Sequence, residues 1–182
     1  MEFGLNEEQE LVVSTVRNFV EKEIYPLENK VEKMGYVEEE IGNEIKRKVI
    51  ELGFFAPNLP ASVGGGGLDN LTFSLLEREL GRGSQGLTIF WGRPSNILMA
   101  CEGQQKEKYL FPAVKGEKYD ALAMTEPQAG SDVRGMKCFA RKDGNDFIIN
   151  GTKHFISHAN IADFVIVFIA TGEEETPKGK KK

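Results

Sequence analysis

One stretch decides how this chain is interpreted, and it reads Leu122-Ala123-Met124-Thr125-Glu126-Pro127-Gln128-Ala129-Gly130-Ser131-Asp132. Its first residues are small or apolar and predict a β-strand, whereas the Pro, Gly, Ser and Asp that follow predict a sharply turned loop. Gly130 can adopt a positive φ, and Thr125 and Ser131 contribute hydroxyl groups, so the loop is suited to hold an anionic group such as a phosphate. An ordinary Pro/Gly turn in which Asp132 caps the local backbone explains the same residues equally well.

The composition is that of an ordinary globular protein, and its 182 residues allow one or two domains. A net charge of −5 argues against a nucleic-acid partner, because such binding draws on clustered Lys and Arg. We recognise no targeting segment and no apolar run long enough to span a bilayer. Cys101 and Cys138 lack a C-x-x-C spacing, which indicates unpaired thiols in a reducing compartment.

Up to residue 113, several stretches carry apolar residues at helical spacing, whereas residues 54–69 are expected to be irregular. The predicted helices cover residues 7–25, 37–52, 70–80, 86–103 and 104–113. Asn6 is a good N-cap for the first of them, and Asp69 or Asn70 can cap the third. The first helix is expected to end before Pro26. Residues 92–94 should kink the fourth helix or break it into two short ones, because proline removes a helical donor and clashes with the preceding turn.

After residue 117 the sequence changes to short apolar runs separated by turn residues, which is typical of β structure. The predicted strands cover residues 121–124, 137–141, 146–150, 153–157 and 164–170. We therefore expect an α+β chain of more than one domain: an all-α domain over residues 1–117, and over 118–182 the first part of an antiparallel β-barrel or sandwich. The last strand is apolar at nearly every position, which predicts cover on both faces, yet little chain remains to cover it.

Several short motifs occur in an order that points to one family. They are L-N-E-E-Q at residues 5–9, L-P at 59–60 with G-G-G-G-L at 64–68, Q-K-E-K-Y-L-F-P-A-V-K-G at 105–116, T-E-P-Q-A-G-S-D at 125–132, I-N-G-T-K at 149–153 and F-I-S at 155–157. Their ordered combination resembles the acyl-CoA dehydrogenases, flavoenzymes of fatty acid metabolism that desaturate an acyl-CoA thioester between its α and β carbons. The resemblance extends over essentially the whole chain and implies FAD as the cofactor.

By this resemblance, Leu122, Met124 and Thr125 lie along the isoalloxazine ring of the flavin. The Thr125 hydroxyl would donate toward the pyrimidine side of that ring, where a hydrogen bond to a charged group contributes roughly 1.5–3 kcal/mol. Gly130 and Ser131 would contact the pyrophosphate of FAD, and Ser131 also the pantetheine of the acyl-CoA substrate.

The F-I-S segment adds three further flavin contacts by the same resemblance. Phe155 stands where the family usually has Trp and would form an aromatic wall beside the ring, without the indole donor. Ile156 follows it. Ser157 replaces the usual Thr, so a hydroxyl can still reach flavin N5, although with looser rotamer control. In isolation, a serine in a strand is more often structural.

The resemblance also assigns several residues outside the flavin contacts. Trp91 and Arg93 fall in a segment near the far end of the family's acyl pocket and could shape substrate choice, with Arg93 paired to a polar or carboxylated acyl group. A buried aromatic residue and a surface Arg explain the two positions as well. Glu126 is interpreted as structural, because the family's catalytic glutamate lies in a C-terminal helical domain. We therefore expect no catalytic residue in this chain. His154 and His158 are too far apart along a strand to share a metal ion, so no metal site is predicted.

The sequence thus predicts the N-terminal part of an FAD-dependent acyl-CoA dehydrogenase that is inactive without the rest of the polypeptide. The resemblance implies an electron-transferring flavoprotein as partner, a homo-oligomer such as a homotetramer, and a cytoplasmic or, after processing, mitochondrial matrix location. An acyl-CoA oxidase, a flavin monooxygenase of the same superfamily, and a non-catalytic subunit of a hetero-oligomer remain open alternatives.

Overall fold

Two units make up the chain in the computed structural model, Met1–Glu117 and Lys118–Lys182. The structure describes residues 4–172, 174–176 and 179–181. The first unit is helical, and all described strands lie in the second.

The described part of the first unit, residues 4–117, contains six α-helices joined by shorter helical turns. The helices are α1 (Glu7–Phe19), α2 (Tyr25–Met34), α3 (Glu39–Glu51), α4 (Asn70–Leu80), α5 (Gln85–Thr88) and α6 (Phe111–Val114). Two π-helical turns cover Val20–Ile24 and Lys106–Leu110, and 3-10 turns cover Ala61–Val63, Ile89–Trp91 and Asn96–Ala100. The predicted caps are confirmed, because the side chain of Asn6 accepts from the N–H of Gln9 and that of Asp69 accepts from Leu71 and Thr72.

Pro26 does not end the first helix, so that prediction is wrong. The helical path widens into the π-helical turn Val20–Ile24 and continues as α2, with Pro26 in the first turn of that helix. Proline is tolerated there because its missing N–H is not needed in a first turn. The same arrangement recurs at Pro112, which opens α6 directly after the second π-helical turn. In both places a wider turn precedes a proline in the first turn of the next helix, although the sequence pattern predicted a stop only at Pro26.

The core of the first unit forms where α1 packs against α4 and around Trp91. Val16, Leu76 and Trp91 are fully buried, and the rings of Phe19 and Trp91 meet edge-to-face with centroids 5.0 Å apart. The buried carboxylate of Glu79 accepts two hydrogen bonds from Arg17, at 3.0 and 3.1 Å, which join α4 to α1. These bonds, opposed by burial and helped by Arg78, lower the pKa of Glu79.

In the second unit, the described residues form six short strands in three pairs. They are β1 (Asp120–Ala123), β2 (Phe139–Asp143), β3 (Asp146–Asn150), β4 (Phe164–Val167), β5 (Glu174–Thr176) and β6 (Gly179–Lys181). β1 pairs with β4 in parallel, with Leu122 opposite Ile166, whereas β2 with β3 and β5 with β6 pair antiparallel. The antiparallel pairing predicted from the sequence is therefore wrong at β1. The described residues form three two-stranded sheets, so the predicted barrel or sandwich is not confirmed.

Two of the predicted strands also differ from the structure. Residues 153–157 are irregular, because Phe155 adopts a φ of 54° that no strand allows. β4 ends at Val167, and its alternate residues Val165 and Val167 are exposed, so the strand is covered on one face only within the described part of the chain. An apolar run therefore predicts the strand correctly but not the cover on its second face.

The break at residues 92–94 generates a test of the first unit. Gly92 has a φ of 76°, and a Cβ added to it would lie 2.0 Å from the ring of Phe55. Gly53 has a similar φ of 74°, but a Cβ added to it would meet no other atom within 4 Å. Each Gly→Ala change should lower the free energy of unfolding by about 1 kcal/mol, because alanine is strained at a positive φ. Gly92→Ala should lose a further 1–3 kcal/mol or so from overpacking against Phe55. Urea denaturation measures the free energy of unfolding of the two variants. Equal decreases in the two variants would contradict the close approach of Gly92 to the Phe55 ring.

Candidate functional site

Two segments of the second unit meet at the end of β1. The first is the loop that follows β1, residues 124–132, and the second is the irregular chain after β3, residues 151–158. The N–H of His154 donates to the carbonyl of Thr125 at 2.9 Å, and the ammonium of Lys153 donates to the carbonyl of Met124 at 3.0 Å. The structure therefore brings together the two segments that carry the predicted flavin-binding residues.

A buried carboxylate organises this meeting point. Glu126 is 3% exposed and accepts four hydrogen bonds: from the side chains of Lys153 (2.9 Å) and Gln128 (2.7 Å), and from the N–H groups of Lys137 (2.6 Å) and Cys138 (2.9 Å). Burial raises the pKa of Glu126, but the hydrogen bond from Lys153, those from the two N–H groups and the lysine charge outweigh it. The result is a pKa of about 2, below the ordinary 4.5. Glu126 is therefore a structural anion and not a proton acceptor, as the sequence predicts.

The side chains of β1 alternate between an inner and an outer face, as in any strand. Ala121 and Ala123 are buried, whereas Leu122 is exposed and Met124, just after the strand, is half-buried. Small residues inside allow close packing, and the larger apolar residues are left on the outer face. Thr125 is half-buried, and its hydroxyl makes no hydrogen bond within the described residues.

The loop is tightened by a turn between Glu126 and Ala129, whose N–H and carbonyl groups bond to each other at 2.9 and 3.2 Å. Gly130 and Ser131 follow and are exposed. Among the described residues, no carbonyl or side chain accepts from the N–H groups of Gly130, Ser131 or Asp132. Three consecutive free donors at an exposed turn can bind an anion.

The F-I-S segment carries local backbone strain. Phe155 has a φ of 54° and is 82% exposed, and its ring stacks on that of His154 with centroids 3.6 Å apart. Ile156 is half-buried and Ser157 exposed, and His158 has a φ of 64°. Positive φ at bulky residues is uncommon and often occurs at functional sites. The strained backbone turns a large aromatic ring to the outside.

The residues singled out near the acyl pocket lie in the first unit. Arg93 forms an ion pair with Glu77, and Trp91 is fully buried against Phe19. A paired arginine and a core aromatic explain these two positions without a ligand. The structure thus does not bring Arg93 together with the predicted flavin residues inside one unit.

Lys153 lies in the motif I-N-G-T-K, but the sequence alone assigned it no role. The signal that could have indicated it is a lysine two residues before F-I-S, a segment predicted to contact the flavin, combined with the glutamate of T-E-P, which requires a positively charged partner if it is buried. Within the described residues, no group of three His, Cys, Asp or Glu side chains could hold a metal ion, and no helix is long and apolar enough to cross a membrane.

Comparison with known proteins identifies the family. The model described as "Acyl-CoA dehydrogenase, N-terminal domain" matches residues 6–117, and the model of the middle domain of the same family matches residues 121–182. The chain belongs to the acyl-CoA dehydrogenase family. The two matches meet between residues 117 and 121, where the helical unit gives way to the strands.

Similar proteins include both dehydrogenases and reductases. The chain is 38% identical to a 3-(aryl)acrylate reductase of Clostridium sporogenes over 95% of its own length and 46% of that protein. It is 35% identical to mitochondrial isovaleryl-CoA dehydrogenase of Pongo abelii, covering 97% of this chain and 43% of that one. A Mycobacterium smegmatis glutaryl-CoA dehydrogenase solved with FADH2 superposes with a TM-score of 0.76 at 28% identity, over 97% of this chain and 44% of that one. The chain therefore spans slightly less than half the length of these acyl-CoA dehydrogenase relatives.

The buried carboxylate predicts how stability depends on pH. Because the pKa of Glu126 falls from 4.5 to about 2 on folding, its contribution is present above pH 4.5 and is lost as the pH falls toward 2. Glu126→Gln should therefore flatten the dependence of the free energy of unfolding between pH 4.5 and 2. Asp146→Asn, at an exposed strand end, is the control and should leave it unchanged. Urea denaturation at several pH values measures this, and identical profiles for Glu126→Gln and wild type would contradict the assignment.

Proposed function

We propose that the chain is part of an FAD-dependent acyl-CoA dehydrogenase that oxidises an acyl-CoA thioester between its α and β carbons. The observation that carries the proposal is the meeting of the loop 124–132 with segment 151–158. Together they offer an apolar outer face, unbonded hydroxyl groups and free backbone donors within a family of flavoenzymes.

The outer face fits an isoalloxazine ring. Leu122 and Met124 provide apolar contact and Phe155 provides an exposed aromatic wall, while the hydroxyl groups of Thr125 and Ser157 have no partner in the described part of the chain. When bound, FAD supplies the acceptor for the hydride that leaves the β carbon. The role of these residues is to fix the ring, to exclude water from one side of it and to donate hydrogen bonds to its heteroatoms.

The turn at residues 130–132 fits a pyrophosphate. Its three N–H groups have no acceptor within residues 4–172, the residues carrying them are exposed, and the Ser131 hydroxyl adds a fourth donor. We assign this turn to the pyrophosphate of FAD, with Ser131 also contacting the pantetheine of the substrate. A contact between Arg93 and a polar acyl group remains part of the proposal, and it requires Arg93 to leave Glu77.

The remaining parts of the reaction lie outside these 182 residues in our proposal. Glu126 cannot serve as the base that removes the α proton, because it is buried, ion-paired and ionised down to a pH of about 2. We place that base in a helical domain C-terminal to residue 182, so the chain alone would be inactive. The complete enzyme would be a homo-oligomer, located in the cytoplasm or the mitochondrial matrix, that passes its electrons to an electron-transferring flavoprotein.

A second candidate is the reverse reaction, in which the reduced flavin saturates an acrylate-type double bond. The 38% identity to a 3-(aryl)acrylate reductase favours it. The two directions use the same flavin face and differ in the substrate and electron source. Turnover of acyl-CoA with an artificial electron acceptor, compared with turnover of an arylacrylate thioester with a reductant, distinguishes them. Reoxidation of the reduced flavin that is faster with O₂ than with the artificial acceptor would instead indicate an oxidase or monooxygenase. A complete polypeptide that contains no flavin would indicate a non-catalytic subunit.

The Ser157 hydroxyl provides the most direct test of the flavin face. In the complete polypeptide loaded with FAD, Ser157→Ala should slow reduction of the flavin by acyl-CoA roughly tenfold to a hundredfold, the effect of losing a hydrogen bond to a charged group. Ser157→Thr should retain the rate, and Ser14→Ala, an exposed serine of α1, is the matched control. Stopped-flow absorbance measures the rate. Unchanged kinetics in Ser157→Ala with bound FAD would remove Ser157 from the site.

A further inference from the structure

The ammonium of Lys153 neutralises the charge of Glu126 and makes a second hydrogen bond, to a backbone carbonyl. Its side chain is 10% exposed and donates both to Glu126, at 2.9 Å, and to the carbonyl of Met124, at 3.0 Å. Lysine is rarely buried, and its pairing with Glu126 explains why the charge is tolerated. The bond to Met124 has a different consequence, because it fixes the orientation of a peptide group.

The peptide between Met124 and Thr125 is planar and trans, so its C=O and N–H groups point in opposite directions. Because the carbonyl of Met124 is held toward the buried ammonium, the N–H of Thr125 points away from it. That N–H has no acceptor among the residues the structure describes. A free N–H beside the proposed flavin face is available to an acceptor atom of a bound ligand.

We propose that Lys153 is a positioning residue, which holds the Met124–Thr125 peptide so that the Thr125 N–H is presented to an acceptor on the bound flavin. The inference rests on the proposed function, since it needs a flavin at this face. It assigns Lys153 two separable effects: its charge neutralises Glu126 and stabilises the fold, and its bond to Met124 tunes the binding of the cofactor.

A double substitution separates the two effects. Lys153→Met leaves the Glu126 carboxylate buried without its counter-ion, so this variant alone should be unstable. Glu126→Gln in the Lys153→Met background removes that unpaired charge and should recover most of the stability. The double variant still lacks any donor to the Met124 carbonyl, so its peptide is free to rotate. Glu126→Gln alone, measured in the same way, keeps the Lys153 donor to the Met124 carbonyl. A positioning role therefore predicts that the stable double variant is impaired beyond Glu126→Gln.

The experiment compares the wild type, Lys153→Met, the double variant and Lys153→Arg in the complete polypeptide. The dissociation constant of FAD, the visible absorbance spectrum of bound FAD and the urea midpoint are measured for each. The double variant should bind FAD roughly fivefold to tenfold more weakly, as expected for one lost hydrogen bond, with a shifted flavin absorbance band. Lys153→Arg should recover part of the affinity, and Lys142→Met, at an exposed lysine of β2, should match the wild type.

The outcomes are distinguishable. A double variant that recovers both stability and wild-type FAD binding, with an unshifted spectrum, overturns the positioning role but leaves the flavin proposal intact. A wild-type polypeptide that binds no FAD overturns the proposed function and this inference with it. A double variant that is stable but still impaired in affinity and spectrum supports the inference.

Discussion

The ion pair between Glu126 and Lys153 is the interaction on which the second unit depends. A carboxylate this deeply buried requires full hydrogen bonding, and its four donors come from its own loop, from residues 137–138 before β2 and from the segment after β3. One side chain thus joins three stretches that are distant in sequence. Removing any of these donors would leave the buried carboxylate with an unmade hydrogen bond, which costs free energy. The three stretches are therefore held in one arrangement.

The ion pair also explains why the candidate site is built in two layers. The inner layer consists of the small residues Ala121 and Ala123, the buried Glu126 and the bonded Lys153, and it has little freedom to move. The outer layer holds the apolar, aromatic and hydroxyl side chains and the free N–H groups. A rigid inner layer that supports an exposed set of donors is the arrangement expected of a preorganised binding site. The strain at Phe155 belongs to this arrangement, since the bonds of Lys153 and His154 hold the chain on which it lies.

Local signals predicted much of this structure, and non-local pairing limited the rest. The caps at Asn6 and Asp69, the break at Gly92 and the strand β3 follow from residue types that act on their immediate neighbours. The parallel pairing of β1 with β4 joins residues more than forty positions apart, and no local pattern encodes it. The positive φ of Phe155 also could not be predicted, because phenylalanine on its own prefers a negative φ. The residues of the candidate site were chosen by motif resemblance, but the role of Lys153 became visible only once its two acceptors were located.

The central claim is that the loop 124–132 and segment 151–158 form one flavin-binding surface. Hydrogen–deuterium exchange of the complete polypeptide, with and without FAD, tests it most directly. We predict that FAD slows exchange of the free amides at residues 130–132 and at residues 155–157 together, over the same range of FAD concentration, and leaves the amides of α4 unchanged. Protection of only one of the two segments, or of neither while FAD is bound, would contradict the account.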